Sequence, residues 1–116
     1  MAGKLTTHAL DTELGRPGAG MGVELRRLDP PAEQPLATRR LDESGRAGLI
    51  EGAALVAGTY ELVFSLGDYL RARGAVAAEP PFLDRVPIRF SVADPSAHYH
   101  VPLVFGRHGY TTYRGG

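Results

Sequence analysis

Five short stretches of this chain alternate apolar with polar residues at a period of two, and residues 36–41 read as a further short strand; most end at a glycine, a proline or an Asp-Pro pair. Only an extended backbone sends successive side chains to opposite faces, so the pattern predicts half-buried strands rather than helices. The alternating stretches are residues 4–12, 22–28, 59–64, 86–93 and 98–105. In the first, Leu5, Thr7 and Ala9 share one face, with Thr6, His8 and Leu10 on the other. Further inward sets are Val23 and Leu25; Tyr60, Leu62 and Phe64; Val86, Ile88, Phe90 and Val92; and Tyr99, Val101, Leu103 and Phe105. Packing such faces against each other gives an all-β fold, a two-sheet β sandwich whose turns come from 15 glycines and nine prolines.

One short helix is expected over residues 66–73. Ser65 with Asp68 three residues later matches a capping box, and Gly74 is placed to end the segment. Residues 75–84, centred on Glu79-Pro80-Pro81, read as a loop. Pro87 and Pro102 lie inside strand patterns, where each removes a ladder donor, so both should face an edge or a non-bonded site.

A chain of 116 residues supports one core, hence a single domain over residues 1–116. Thirteen basic and thirteen acidic residues cancel, leaving no global field for a nucleic-acid backbone or an anionic membrane, so neither is expected as a partner. The absence of cysteine removes disulfides, thiolate metal sites and thiol nucleophiles together. The start, MAGKLTTHAL, lacks the apolar region of a signal peptide, and no run approaches the ~20 apolar residues of a membrane span. A soluble, cytoplasmic protein is expected.

The chemistry concentrates in histidine. His98 and His100 are two apart, so on a strand they share a face, roughly 6.5–7 Å from one another along it. With His8 they fall opposite the apolar sets. Imidazoles that titrate near ~6.5 can take a proton from water and return it at neutral pH. The same residues also fit plain solvated histidines, or a three-histidine metal site with an open position. Arg46 follows the turn 42–45. A guanidinium there suits a planar, carbonyl-rich or anionic ligand, or simply a solvated loop. The tail 110–114 is a polar final strand rich in hydroxyls.

Several segments together, in order and spacing, resemble the transthyretin-like proteins: LTTHALDTELGRPGAGMGVEL, ESGR, GTYELVF followed by GDYLRARG, VPIRFSVADPSAHYHVPLVF and GYTTYRGG. The resemblance runs nearly end to end. Because the chain keeps Tyr113-Arg114-Gly115 and His100, which the hormone-carrier branch lacks, it resembles the hydroxyisourate-hydrolase branch. That resemblance implies a transthyretin-like sandwich with one short helix, assembled as a homotetramer around a channel. It implies ring opening of 5-hydroxyisourate in urate degradation, with no cofactor and no metal.

His8, Arg46 and His100 match the family's catalytic positions; His8, Arg46, Tyr113 and Arg114 match its substrate-binding positions. His98 is then structural, and His108 adds a polar group near the channel mouth. Two departures stand out: Gly116 replaces the family's terminal serine, and Gly106-Arg107-His108 replaces its Ser-Pro-Phe. The alternative reading is a non-catalytic, transthyretin-like protein that binds a small ligand in the same channel.

Overall fold

The alternating segments become strands of two facing sheets, joined by short turns, in a computed structural model that describes residues 2–115. In chain order they are β1 (Lys4–Asp11), β2 (Arg16–Pro17), β3 (Gly22–Asp29), β4 (Ala37–Arg40), β5 (Arg46–Glu51), β6 (Gly58–Ser65), α1 (Leu66–Ala72), β7 (Arg85–Val92), β8 (His98–Phe105) and β9 (Tyr110–Thr112). One sheet runs β4-β3-β6-β7. The other runs β2-β1-β8-β9, and β5 lies against the part of β1 that β2 leaves free.

Every expected inward set is on the inside. Leu5, Leu25, Tyr60, Leu62, Phe64 and Leu103 are completely buried, as is Thr7, whose hydroxyl donates to the Val101 carbonyl at 2.8 Å. Each large apolar side chain buried this way contributes roughly 1.5–3 kcal/mol. The outward faces of β1 and β8 keep Thr6, His8, His98 and His100 clear of that core.

Strand β5 was not expected, and β2 is only two residues long. Between Leu5 and Thr6 the β1–β5 register shifts, so Leu49 is an extra residue and both Leu49 and Ile50 are buried. A bulge of this kind erases the period-two signal.

Helix α1 starts at Ser65 as expected, but the capping box does not form. Ser65 makes no side-chain cap bond, and the Gly67 N–H donates to the Asp84 carbonyl at 2.7 Å. Asp68 pairs with Arg71. The helix ends as foreseen: Gly74, at φ 76°, donates to Arg71 O while Ala75 donates to Leu70 O, the paired bonds of a Schellman motif. Residues 75–84 carry no strand or helix.

Pro87 lies on the edge strand β7. Pro102 lies in an interior strand, yet its carbonyl accepts from Thr112 Oγ1 at 2.8 Å, and its ring falls between the Leu103–Thr112 and His100–Gly115 pairings. Proline offers the tail strand no N–H at that position, and the ladder skips Pro102 between those two pairings.

The end of β1 is pinned by Asp11, which is buried. Its carboxylate accepts from the Glu13 and Leu14 amides, from the Tyr69 hydroxyl and from Arg73. This fixes the β1–β2 turn against α1.

Candidate active site

Neighbouring columns of one sheet face bring the candidate residues together. β1 and β8 are parallel, with Thr6 opposite His100, Lys4 opposite His98 and His8 opposite Pro102. On the other side of β1, antiparallel β5 sets Arg46 opposite His8 and Gly48 opposite Thr6. Segments from both ends of the chain thus share one surface with the middle segment. The cleft has a volume of about 380 Å³, in the range of small-molecule sites. Its lining includes Thr6, Asp42, Arg46, Gly48, His98 and His100.

The turn before β5 is held by one carboxylate. Asp42 Oδ1 accepts from Ser44 N–H at 2.9 Å, Ser44 Oγ at 2.7 Å and Arg46 N–H at 3.0 Å. Gly45, at φ 75°, is pressed onto β1, where a Cβ would stand 2.6 Å from the Ala9 carbonyl oxygen. Only glycine fits. The turn therefore presents the Ser44 carbonyl to His8, whose Nε2–H donates to it at 2.9 Å. With that nitrogen donating, neutral His8 keeps its lone pair on Nδ1.

His100 is half-buried, its ring 6.3 Å from that of His8 and 6.1 Å from that of His98. Its Nδ1 lies 2.7 Å from Thr6 Oγ1. Among the described residues, its Nε2 has no hydrogen-bond partner. Burial pushes the His100 pKa below its usual 6.5, and the charge of Arg46 adds to the effect. Burial likewise lowers His8, with Arg46 second, against opposing pulls from the Ser44 carbonyl and Asp42. Both imidazoles are thus biased toward the neutral form that accepts a proton. The guanidinium of Arg46 is exposed and unpaired among the described residues. Also among those residues, no three His, Asp or Glu side chains are grouped to hold a metal ion.

The tail divides. Gly115 N–H donates to the His100 carbonyl at 2.7 Å, seating the tail main chain on the site. The side chains of Tyr113 and Arg114 turn the other way. The Arg114 guanidinium stacks over the Tyr99 ring at 4.1 Å and reaches the His98 carbonyl at 3.3 Å, while Tyr113, 54% exposed, lines a separate groove with Ile88 and Phe90. Within one chain the structure unites His8, Arg46 and His100, but not these two side chains. Gly116 lies outside the described residues. His108 is remote from the cleft, its ring 6.0 Å from that of Phe82. Thr6 is the site residue that sequence reasoning did not single out. Its signal was its place two residues before His8 on the same strand face.

The sequence matches the family described as HIUase/Transthyretin over residues 5–115. The 5-hydroxyisourate hydrolase of Mesorhizobium japonicum is 53% identical over 115 residues, covering 97% of this chain and 92% of that one. The Klebsiella pneumoniae 5-hydroxyisourate hydrolase structure matches with a TM-score of 0.80 at 32% identity, covering 97% of this chain and 99% of that one. The crystal structure of (S)-allantoin synthase matches with a TM-score of 0.93 at 36% identity. That match covers 98% of this chain but only 44% of the other, so this chain spans less than half of it.

Proposed function

The chain belongs to the HIUase/transthyretin family, and on that footing we propose that it hydrolyses 5-hydroxyisourate to 2-oxo-4-hydroxy-4-carboxy-5-ureidoimidazoline in urate degradation. The observation that carries the reading is the cluster of Arg46 with two neutral-biased imidazoles on one open face.

In this mechanism His8 and His100 hold a water through the nitrogens that keep a lone pair, Nδ1 of His8 and Nε2 of His100. As the water oxygen bonds to the ring carbonyl carbon, one imidazole takes its proton. Arg46 faces the oxygen on which negative charge develops, and it orients the planar ring. The C–N bond then breaks, the leaving nitrogen receives the proton, and the ring-opened acid ionises. Tyr113 and Arg114 serve substrate binding through the main chain that ends on His100, and the exposed Tyr113 ring remains available to a neighbouring copy. The protein acts without cofactor or metal as a cytoplasmic homotetramer in which the histidine-bearing faces line a shared channel.

The test generates 5-hydroxyisourate in situ from urate and urate oxidase and follows its decay with and without the protein. Acceleration supports the hydrolase. Decay at the spontaneous rate overturns it and leaves the small-ligand binding protein as the reading. Sedimentation at working concentration tests the tetramer.

A further inference from the structure

Thr6 Oγ1 stands 2.9 Å from His98 Nε2 and 2.7 Å from His100 Nδ1. A hydroxyl has one proton to donate. When both imidazoles are neutral, Thr6 can donate to only one of them, so at least one ring donates to Thr6, whose two lone pairs can accept from one ring or from both. Two arrangements place the Thr6 proton between the rings. In the first, His100 Nδ1–H donates to Thr6, Thr6 donates to His98 Nε2, and His100 Nε2 keeps its lone pair. In the second, every direction is reversed, and His100 Nε2 carries a proton and cannot act as a base.

We propose that Thr6 and His98 are positioning residues that hold His100 in the first arrangement and form a proton path from it to the surface. This rests on the hydrolase reading above. The environment of each ring favours it. His98 is exposed, so its Nδ1–H and any charge it gains are solvated by water. His100 is half-buried with Arg46 nearby, a poor place for a lasting imidazolium.

The proton count closes over the whole cycle. His100 Nε2 takes a proton from the attacking water. Thr6 then accepts the Nδ1 proton of His100 as it gives its own to His98 Nε2, leaving His100 neutral and His98 charged. When His100 Nε2–H is handed to the leaving ring nitrogen, the two transfers through Thr6 reverse. All three residues end as they began, and the water proton has moved to the leaving nitrogen.

The test uses the full chain labelled with ¹⁵N-histidine, because imidazole nitrogen shifts report which nitrogen is protonated. We expect Nδ1–H at His100 in the wild type. Thr6→Val and His98→Phe should each move the proton to Nε2 and lower kcat by roughly 10- to 100-fold, the consequence of a base held in the wrong tautomer. KM should stay within about 2-fold, since binding groups are untouched. Thr6→Ser, which keeps the hydroxyl, should retain both the tautomer and the rate.

An Nε2–H His100 in the wild type overturns the proposal, as does a Thr6→Val protein with unchanged tautomer and kcat. Should Thr6→Val fail to fold, the exposed His98→Phe decides alone by the same two readouts. A wild type with the expected tautomer but no acceleration of 5-hydroxyisourate decay refutes the hydrolase reading and leaves the hydrogen-bond assignment standing.

Discussion

Gly115 and His100 are in contact along both main chain and ring. The Gly115 N–H donates to the His100 carbonyl at 2.7 Å, and a Cβ at Gly115 would stand 2.6 Å from His100 Cδ2. The imidazole is thus clamped between Thr6 on one strand and a glycine of the tail on the other side. Gly115→Ala should push the ring or the tail aside. We expect kcat to fall at least ~10-fold, because small misplacements of a catalytic group are costly, with little change in Tm. Steady-state kinetics beside thermal unfolding checks this; an alanine variant with wild-type kcat would show the clamp to be dispensable.

The pH dependence follows from the direction of two shifts. Burial, then Arg46, lowers the pKa of both His8 and His100 below 6.5. The proposed mechanism needs a neutral imidazole as base, so kcat/KM should hold as pH falls past 6.5 and drop only at lower pH, where these groups charge. Stability moves the same way. The unfolded chain binds protons on these histidines near 6.5 while the folded chain does not, so stability present above that pH is lost as pH falls toward the folded values. A pH–rate profile and denaturation midpoints across pH 4.5–8 measure both, a window on the order of the imidazole and carboxylate range. An acid limb centred above 6.5 would contradict the assignment.

In the proposed mechanism Arg46 contributes in two separable ways. Arg46→Gln removes the charge facing the developing oxyanion, for which a loss of roughly 10²–10³ in kcat is expected. It also removes the cation that helps depress both imidazoles, so the acid limb of the remaining activity should move to higher pH. A lower rate with an unmoved limb would mean that Arg46 acts on substrate alone.

Asp11 is a folding prediction away from the chemistry. Its buried carboxylate meets two amides, a phenol and a guanidinium. Asp11→Ala strands the two amides and the phenol and leaves Arg73 with Glu13 alone, at a cost of about 3–5 kcal/mol. Glu13→Gln, on the exposed side of the same arginine, should cost much less. Urea unfolding of both variants at one protein concentration checks the contrast.

Much of this was legible in the residues. Period-two alternation correctly assigned the inner faces of β1, β3, β6, β7 and β8, and so put His8, His98 and His100 on the outside. It failed at β5, where the bulge at Leu49 sets two buried residues in a row, and at β2, which is too short to show any period. The capping box did not form, and part of the helix terminus is instead held from a distance, the Gly67 N–H donating to the Asp84 carbonyl. No local pattern announces that β1 and β8 lie side by side in parallel; only the family resemblance implied that His8 and His100 meet. Thr6 escaped notice because threonine on an exposed strand face is ordinary. Its significance comes from two histidines about 90 positions away.

That separation has a kinetic consequence. Thr6 and His100 lie 94 positions apart, and their strands must register in parallel before either Thr6 or the tail can hold the ring. Loop closure over such a span is slow compared with hairpin formation, so the site is a late product of folding. A nascent chain that has exposed β1 through β7 holds Arg46 and His8 as neighbours but lacks the second imidazole. Recovery of activity during refolding should therefore report docking of the last long strand rather than collapse of the sandwich.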